Sequence, residues 1–369
     1  NLIDTEITKE TLYTKNIEEL FYQPAMERIR DAFRNGEEPE GCQICWDEED
    51  AGVMSLRQMR EQMSKGHLAP QYVGRYADPK ILTLDLKFSS LCNLKCRICG
   101  PYCSSTWVKE SIDTGIRHAS EKDWFGRCAD RKFSKNEENY EIFERILPDL
   151  HVLEFYGGEP LMQPEHSRIM DMIKTNVVSK NLHLFYNTNG TIFDEESLEA
   201  WKKAMIVELN ISLDDIADRF EYQRYPAQWD QVINNIHQYK NNVSSNVMIN
   251  LYCTVSMFNA IYLPALLEYN AIHLQLPIRF NLVHWPKAFS IKNFSPEAKR
   301  LITESIQNID PDHKKFIQAD HGIDSIVQYM NDTPRDEHDF DQFMKSIARH
   351  DAYRKQNFQE TFPALNKLL

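Results

Sequence analysis

The sequence lacks a basic stretch followed by an apolar one at its start; it opens on the polar run Asn1-Leu2-Ile3-Asp4-Thr5-Glu6. It therefore does not read as carrying a secretory leader, and no apolar run approaches the roughly 20 residues a bilayer-spanning helix needs. Low-complexity tracts and short-period repeats are missing too, so neither a linker-rich chain nor a solenoid is expected. Positive charge is in short supply. Against 55 Asp and Glu there are 42 Lys and Arg, and the net charge of -13 argues against a nucleic-acid partner on electrostatic grounds. The solubility of an ordinary cytoplasmic protein accounts for that charge equally well. Cysteine is absent beyond Cys253, and the eight that occur are not dispersed as a disulfide framework requires. Five fall in two tight groups, which points to metal binding in a reducing, cytoplasmic compartment. With 42% hydrophobic and 26% charged residues in 369, the chain can bury a large core in one domain or two smaller ones.

The first of those groups lies in Asp85-Leu86-Lys87-Phe88-Ser89-Ser90-Leu91-Cys92-Asn93-Leu94-Lys95-Cys96-Arg97-Ile98-Cys99-Gly100, directly after an apolar, strand-like run from Ile81. Three thiolates on one short loop can hold three corners of a cubane iron–sulfur cluster, whereas ferredoxin loops supply four. The missing fourth ligand would leave one iron open to a small molecule. A zinc site is the competing reading, with Cys103 as its fourth donor; three unrelated buried thiols are the plain one. The second group, Cys42 and Cys45, reads as half a metal site for a second Fe–S cluster or zinc, or as a redox pair, with two buried thiols beside Trp46 as the plain alternative. Cys103 and Cys128 are the nearby thiols that could complete it.

From Ile81 the pattern alternates strands and helices. Strands are expected at Ile81–Phe88, Val152–Tyr156, Leu182–Asn187, Ile206–Leu213, Val247–Val255 and Ile272–Leu282. Helices are expected between them, as at Pro164–Val178, Glu195–Ala204, Trp229–Lys240 and Ile261–Tyr269. Six such repeats imply an α/β fold, a parallel sheet curled into a partial (βα)6 TIM-like barrel with its chemistry at the C-terminal strand ends. Mainly helical extensions flank it. The expected division is an N-terminal extension over residues 1–80, a barrel over 81–285 and a C-terminal helical region over 286–369. In the first, Phe21, Ala25, Ile29 and Phe33 recur at helical spacing, and Met54, Leu56, Met59 and Met63 suggest another helix. In the last, Ile323, Ile326, Val327 and Met330 form one apolar stripe and Phe340, Phe343, Met344 and Ile347 a second, both read as core packing.

The strand ends carry the remaining polar motifs. The second runs into Tyr156-Gly157-Gly158-Glu159-Pro160, where two glycines admit close backbone approach to a ligand. The third ends in Asn187-Thr188-Asn189-Gly190, for which a plain turn is the bland reading. On the fourth, period-2 alternation puts Asn210, Ser212 and Asp214 on one face. On the fifth, Leu251, Cys253 and Val255 share a face.

Cys-x3-Cys-x2-Cys after a first strand, followed in order by these motifs, resembles the radical S-adenosylmethionine (radical SAM) superfamily. The resemblance runs from Ile81 to about Leu282, with Ile98 replacing the aromatic residue usual before the third cysteine. It implies a [4Fe-4S] cluster on Cys92, Cys96 and Cys99, and S-adenosylmethionine chelating the open iron. Reductive cleavage of the sulfonium would give a 5′-deoxyadenosyl radical that abstracts hydrogen from substrate. It further implies that Gly157, Gly158, Glu159 and Pro160 hold the amino group, and that Asn187, Asn189, Ser212 and Asp214 line the ribose region. Arg224 would pair with the carboxylate, and Val255, with the backbone of Asn281-Leu282-Val283, would meet adenine. Cys253 is a candidate hydrogen donor, although a small buried hydrophobe is the commoner role. The texture from Cys45 to Arg57 (Cys-Trp-x2-Glu-x2-Gly-x2-Ser-x-Arg) looks like a twitch element of SPASM/twitch-type members, but precedes the barrel instead of following it. A peptide or peptidyl side chain is therefore the first expectation for substrate, with a sugar, nucleotide or tRNA behind it. A flavodoxin or ferredoxin is the expected reductant. A zinc-stabilised, non-catalytic binding protein is the alternative of another class.

Overall fold

The structure, a computed structural model, describes residues 15–50, 55, 57, 58, 79–116, 136–318 and 322–369. Six parallel strands are arranged in chain order: β1 (Thr83–Leu86), β2 (Val152–Phe155), β3 (His183–Thr188), β4 (Ile206–Ser212), β5 (Val247–Val255) and β6 (Ile278–Leu282). Every pairing is parallel, with Leu86 beside Phe155, Phe155 beside Tyr186, Asn187 beside Asn210, Ser212 beside Tyr252 and Cys253 beside Phe280. Parallel neighbours require a crossover, and helices such as Pro164–Thr175 and Trp229–Asn242 supply it. This is the α/β architecture expected of the sequence, with strands in the order of a partial barrel.

The register explains why these strands alternate, although parallel strands buried on both faces usually read as continuous apolar runs. One face carries Leu153, Phe155, Leu184, Tyr186, Leu209, Ile211 and Leu251, all completely buried. Helices cover this face: Ile169, Ile173, Trp201, Val232 and Ile236 pack into the same core. Phe155 stacks on Tyr186 at 4.8 Å, and the Tyr186 hydroxyl is bonded by Trp201 Nε1 and by His166, each at 3.1 Å. The other face is polar. Asn187, Asn210 and Asn250 line up across β3, β4 and β5, and Asn250 Nδ2 donates to Asn210 Oδ1 at 3.0 Å.

Two elements differ from the sequence reading. Residues 272–277 are not strand: a wide helical turn, Asn270–Leu274, prolongs the preceding helix and leaves Ile272 exposed. Asn270 uses its side chain to bond both the NH and the CO of Leu276, which ends that turn and starts β6 late. The N-terminal apolar stripe spans two helices, Ile17–Phe21 and Pro24–Asn35, because proline cannot continue a helix through its interior. The helix suggested around Met54, Leu56, Met59 and Met63 lies outside the described residues.

The C-terminal helices Pro296–Gln307, Ile323–Asn331 and Glu337–Arg354 pack on the β5–β6 side. Phe343, Ile347, Ile326 and Met330 are buried there, while Met344 is partly exposed. Beyond β6 the backbone of Phe316 and Gln318 bonds Ile278, so this edge is partly closed by the C-terminal region.

Candidate functional site

At the C-terminal ends of the strands lies a cleft of about 680 Å³. One wall is the loop after β1, and Cys92, Cys96 and Cys99 all line the cavity. This loop is short and largely without regular structure, so its shape is fixed by bonds to other elements. Lys95 N and Arg97 N donate to Tyr225 O (2.6 Å) and Gln223 O (2.8 Å). Ser104 Oγ and Thr106 Oγ1 donate to Leu94 O, and Trp107 Nε1 donates to Cys96 O at 3.1 Å. The Arg97 side chain, nearly inaccessible, reaches out of the loop to Asp351 (2.6 Å) and Gln356 (2.8 Å) of the C-terminal region and lies 3.6 Å over the Tyr222 ring.

Burial raises the Cys92 thiol and pushes Cys96 up to about 12. Cys99 is raised by its hydrogen bond with Cys103, by burial and by Cys96, while the same bond lowers Cys103, with Lys87 adding to the effect. Cationic metal offsets the burial that keeps Cys92, Cys96 and Cys99 protonated, by replacing their protons. Among the described residues, no three His, Cys, Asp or Glu side chains converge closely enough for one metal ion. Cys92, Cys96 and Cys99 nonetheless line one and the same cavity.

Further lining comes from the second, third and fourth strand ends. Gly157 and Gly158 line the cleft with φ of +75° and +59°. A Cβ on Gly158 would stand 2.2 Å from the Leu91 carbonyl oxygen, so the missing side chain lets the two loops touch. Asn187, Asn189 and Ser212 also face the cavity, as does Arg224. Asn189 is held by Thr191, whose NH (2.9 Å) and hydroxyl (2.6 Å) both donate to its Oδ1, and its Nδ2 donates to Asn93 Oδ1 at 2.9 Å.

Several expected residues stand elsewhere. Glu159 is completely buried behind the wall, accepting from Leu161 N, Thr188 Oγ1 and Asn189 N at 3.2, 2.7 and 2.7 Å. Burial raises its carboxyl to about 7 against these three donors. It joins the ends of β2 and β3, and Pro160 is buried in the turn that follows. Asp214 accepts from Thr254 N (2.8 Å) and pairs with Arg224 Nε at 2.7 Å, so it orients the arginine. Cys253 and Val255 sit on the helix-covered face of β5, completely buried, because alternation from Tyr252, the partner of Ser212, turns them away. The Cys253 thiol packs against Asp214 O and accepts from Asn259 Nδ2, at 3.6 and 3.7 Å. Asn281, Leu282 and Val283 are likewise not among the lining residues.

Two lining residues, Trp285 and Pro286, escaped the sequence reading. Trp285, 79% exposed, and Pro286 come from the segment after β6 and form a lip of the cleft. Cys103 lines the cleft beside Cys99 rather than completing a site with Cys42. An aromatic–proline pair just past the last strand was the available signal for the lip. Cys42 and Cys45 are half-buried and line no part of the cleft. They flank a small body in which Trp46 meets Phe33 and Arg57, and Glu49 binds Ser55 Oγ (2.5 Å) and Arg57 Nε (3.0 Å). Cys128 lies outside the described residues.

The model of the Radical SAM superfamily matches residues 86–257, from the end of β1 to just past β5. Residues 86–257 are a radical SAM domain. Domains of this superfamily work with a [4Fe-4S] cluster and S-adenosylmethionine, and the donor set fits both. Three thiols, two glycines and Arg224 line one cavity, and the volume suits a nucleoside-sized ligand. No curated protein matches the chain. Among solved structures, anSMEcpe with bound AdoMet is 17% identical over 60% of this chain and 58% of its own, at a TM-score of 0.38. SuiB of Streptococcus suis bound to S-adenosylmethionine is 12% identical over 78% and 60%, at 0.35. TYW1 with a lysine-pyruvate adduct bound is 14% identical over 59% and 70%, at 0.30. The chain spans about three fifths of the length of the first two. The assignment of the domain rests on the matched segment and on its own strand order and cysteine loop.

Proposed function

We propose that the protein is a radical SAM enzyme that modifies a peptide or peptidyl side chain. The observation that carries the enzymatic reading is the meeting of Cys92, Cys96 and Cys99 with Gly157, Gly158 and Arg224 around one cleft at the strand ends. Bound there, cluster and S-adenosylmethionine would supply a 5′-deoxyadenosyl radical for hydrogen abstraction. The chain's own residues would do the positioning. The three thiolates would hold the cluster, and the backbone at Gly157 and Gly158, which lines the same cavity, would accept from the ammonium. Arg224, kept cationic and aimed by Asp214, would take the carboxylate, while Asn187, Asn189 and Ser212 would face the ribose. The packed helices behind the sheet exclude water from that side.

In support of the peptide stands the twitch-like texture beside Cys42 and Cys45, within which Trp46, Glu49, Ser55 and Arg57 contact one another. We read that pair as ligands of an auxiliary metal centre or as a substrate dock. Electrons would come from a flavodoxin or ferredoxin.

Anaerobic reconstitution tests the proposal. The expected outcome is about four irons and four sulfides for each active cluster, with reductant-dependent release of 5′-deoxyadenosine. Stoichiometric zinc without that product would establish the non-catalytic alternative. Deuterium passing from a labelled peptide into 5′-deoxyadenosine supports the substrate class; transfer from a labelled sugar or nucleotide alone refutes it. Cys42→Ala with Cys45→Ala should leave uncoupled cleavage largely intact, and its loss in a folded variant would contradict an auxiliary role.

A further inference from the structure

The cleft contains a fourth thiol. Cys103 is exposed and lines the same cavity as Cys92, Cys96 and Cys99. A tight turn brings it back, since Cys103 N and Ser104 N both donate to Gly100 O at 3.0 Å. The turn is fastened on its far side: Ser105 N donates to Ser90 O (2.7 Å), Ser104 Oγ to Leu94 O (2.5 Å) and Thr106 Oγ1 to Leu94 O (2.8 Å). Cys103 is thus presented to the cysteine loop by backbone and side-chain bonds on both flanks. Lys87, whose stem packs against Gly157, supplies a positive charge nearby.

Four cysteines within 12 residues are more than a three-cornered site needs. An iron held by three sulfides and no protein donor is an exposed Lewis acid, and the first metal an oxidised cluster loses. We propose that Cys103 is a displaceable fourth ligand, capping that iron when no S-adenosylmethionine is bound and yielding to the amino and carboxylate groups when it arrives. This rests on the cluster reading given above. An exposed side chain on an otherwise fastened turn is free to reorient within the cavity it lines. The exchange transfers no electron: one thiolate leaves the iron and takes up a proton, and two donor atoms replace it.

The test compares the anaerobically reconstituted full chain with Cys103→Ala. Both should hold equal iron and sulfide. Without S-adenosylmethionine, the electron paramagnetic resonance of the reduced clusters should differ between the two proteins; with it, they should coincide. Ferricyanide should convert the variant to a three-iron cluster under conditions in which the parent keeps four. In the unmodified protein, iodoacetamide should label Cys103 more slowly in the loaded form without S-adenosylmethionine than in the metal-free form. Identical spectra and equal labelling would overturn the proposal while leaving the cluster reading intact. Loss of a whole cluster from the variant would overturn it in favour of a second centre. A parent chain that binds no iron and sulfide would sink both.

Discussion

Gly157 and Gly158 stand side by side with left-handed backbones, yet a methyl group on each would meet a different obstacle. At Gly157 the new Cβ would fall 2.4 Å from Lys87 Cγ, part of a flexible stem that can swing aside. At Gly158 it would fall 2.2 Å from the Leu91 carbonyl oxygen, which is backbone and also accepts from Glu159 N at 2.8 Å. The left-handed conformation alone costs an L-residue about 1–2 kcal/mol. Gly157→Ala is therefore expected to destabilise by about that amount and Gly158→Ala by about 3 kcal/mol or more, with loss of bound iron. Denaturant titration and iron analysis of the two variants check the order; equal effects would refute the backbone argument. The double glycine is visible in the sequence, but which of the two is indispensable is decided by the loop from β1 that passes over it.

One helix controls the cysteine loop from a distance of some 250 residues along the chain. Glu337–Arg354 starts on a firm cap, Asp336 accepting from the His338 and Asp339 backbone, and ends at Lys355 in a left-handed turn. Its last turns reach the loop. Glu110, fully buried, is bonded by His350 (2.9 Å), Arg354 (2.8 Å) and Lys95 (2.9 Å), and Arg354 also donates to Lys95 O. Burial would raise the Glu110 carboxyl, but these three partners outweigh it and hold it at about 2. A depressed folded value stabilises the native state above about pH 4.5, and that contribution is lost as pH falls toward 2. It amounts to something on the order of 2–3 kcal/mol. Acid unfolding followed by circular dichroism should show this loss, and Glu110→Gln should flatten it. Arg354→Met leaves the carboxylate short of one partner and should destabilise by about 3 kcal/mol; a change within error would show that Lys95 and His350 suffice. These partners could not be paired by inspection of the chain, because residues 95, 110 and 354 share no local periodicity.

Over the whole molecule, the C-terminal region is as much a wall of the barrel as the crossovers are. Phe258, after β5, contacts Phe289, Phe343, Phe358 and Phe362 in one aromatic cluster, and Arg97 anchors the cysteine loop to Asp351 and Gln356. Ending the chain at residue 335 would remove three of those rings, bare Phe258 and Phe289, and release the loop. The shortened protein is expected to aggregate and to bind little iron; a soluble product with full cluster content would show that the domain at 86–257 stands alone. The parallel strand pattern and the cysteine loop were legible because both are local: period-2 alternation and thiol spacing are written in consecutive residues. Two things the chain could not show unaided. Facing depends on register, and register turned Cys253 and Val255 into the helix-covered core while leaving Asn187 and Ser212 in the cleft. Burial likewise depends on contacts between distant segments, and it withdrew Glu159 and Asp214 from the cavity, setting one to brace two strand ends and the other to aim Arg224. Neighbouring residues were enough to put three thiols on a loop after a strand. Which side chains face those thiols was settled by folding alone, because it requires atoms hundreds of residues apart to meet in one place.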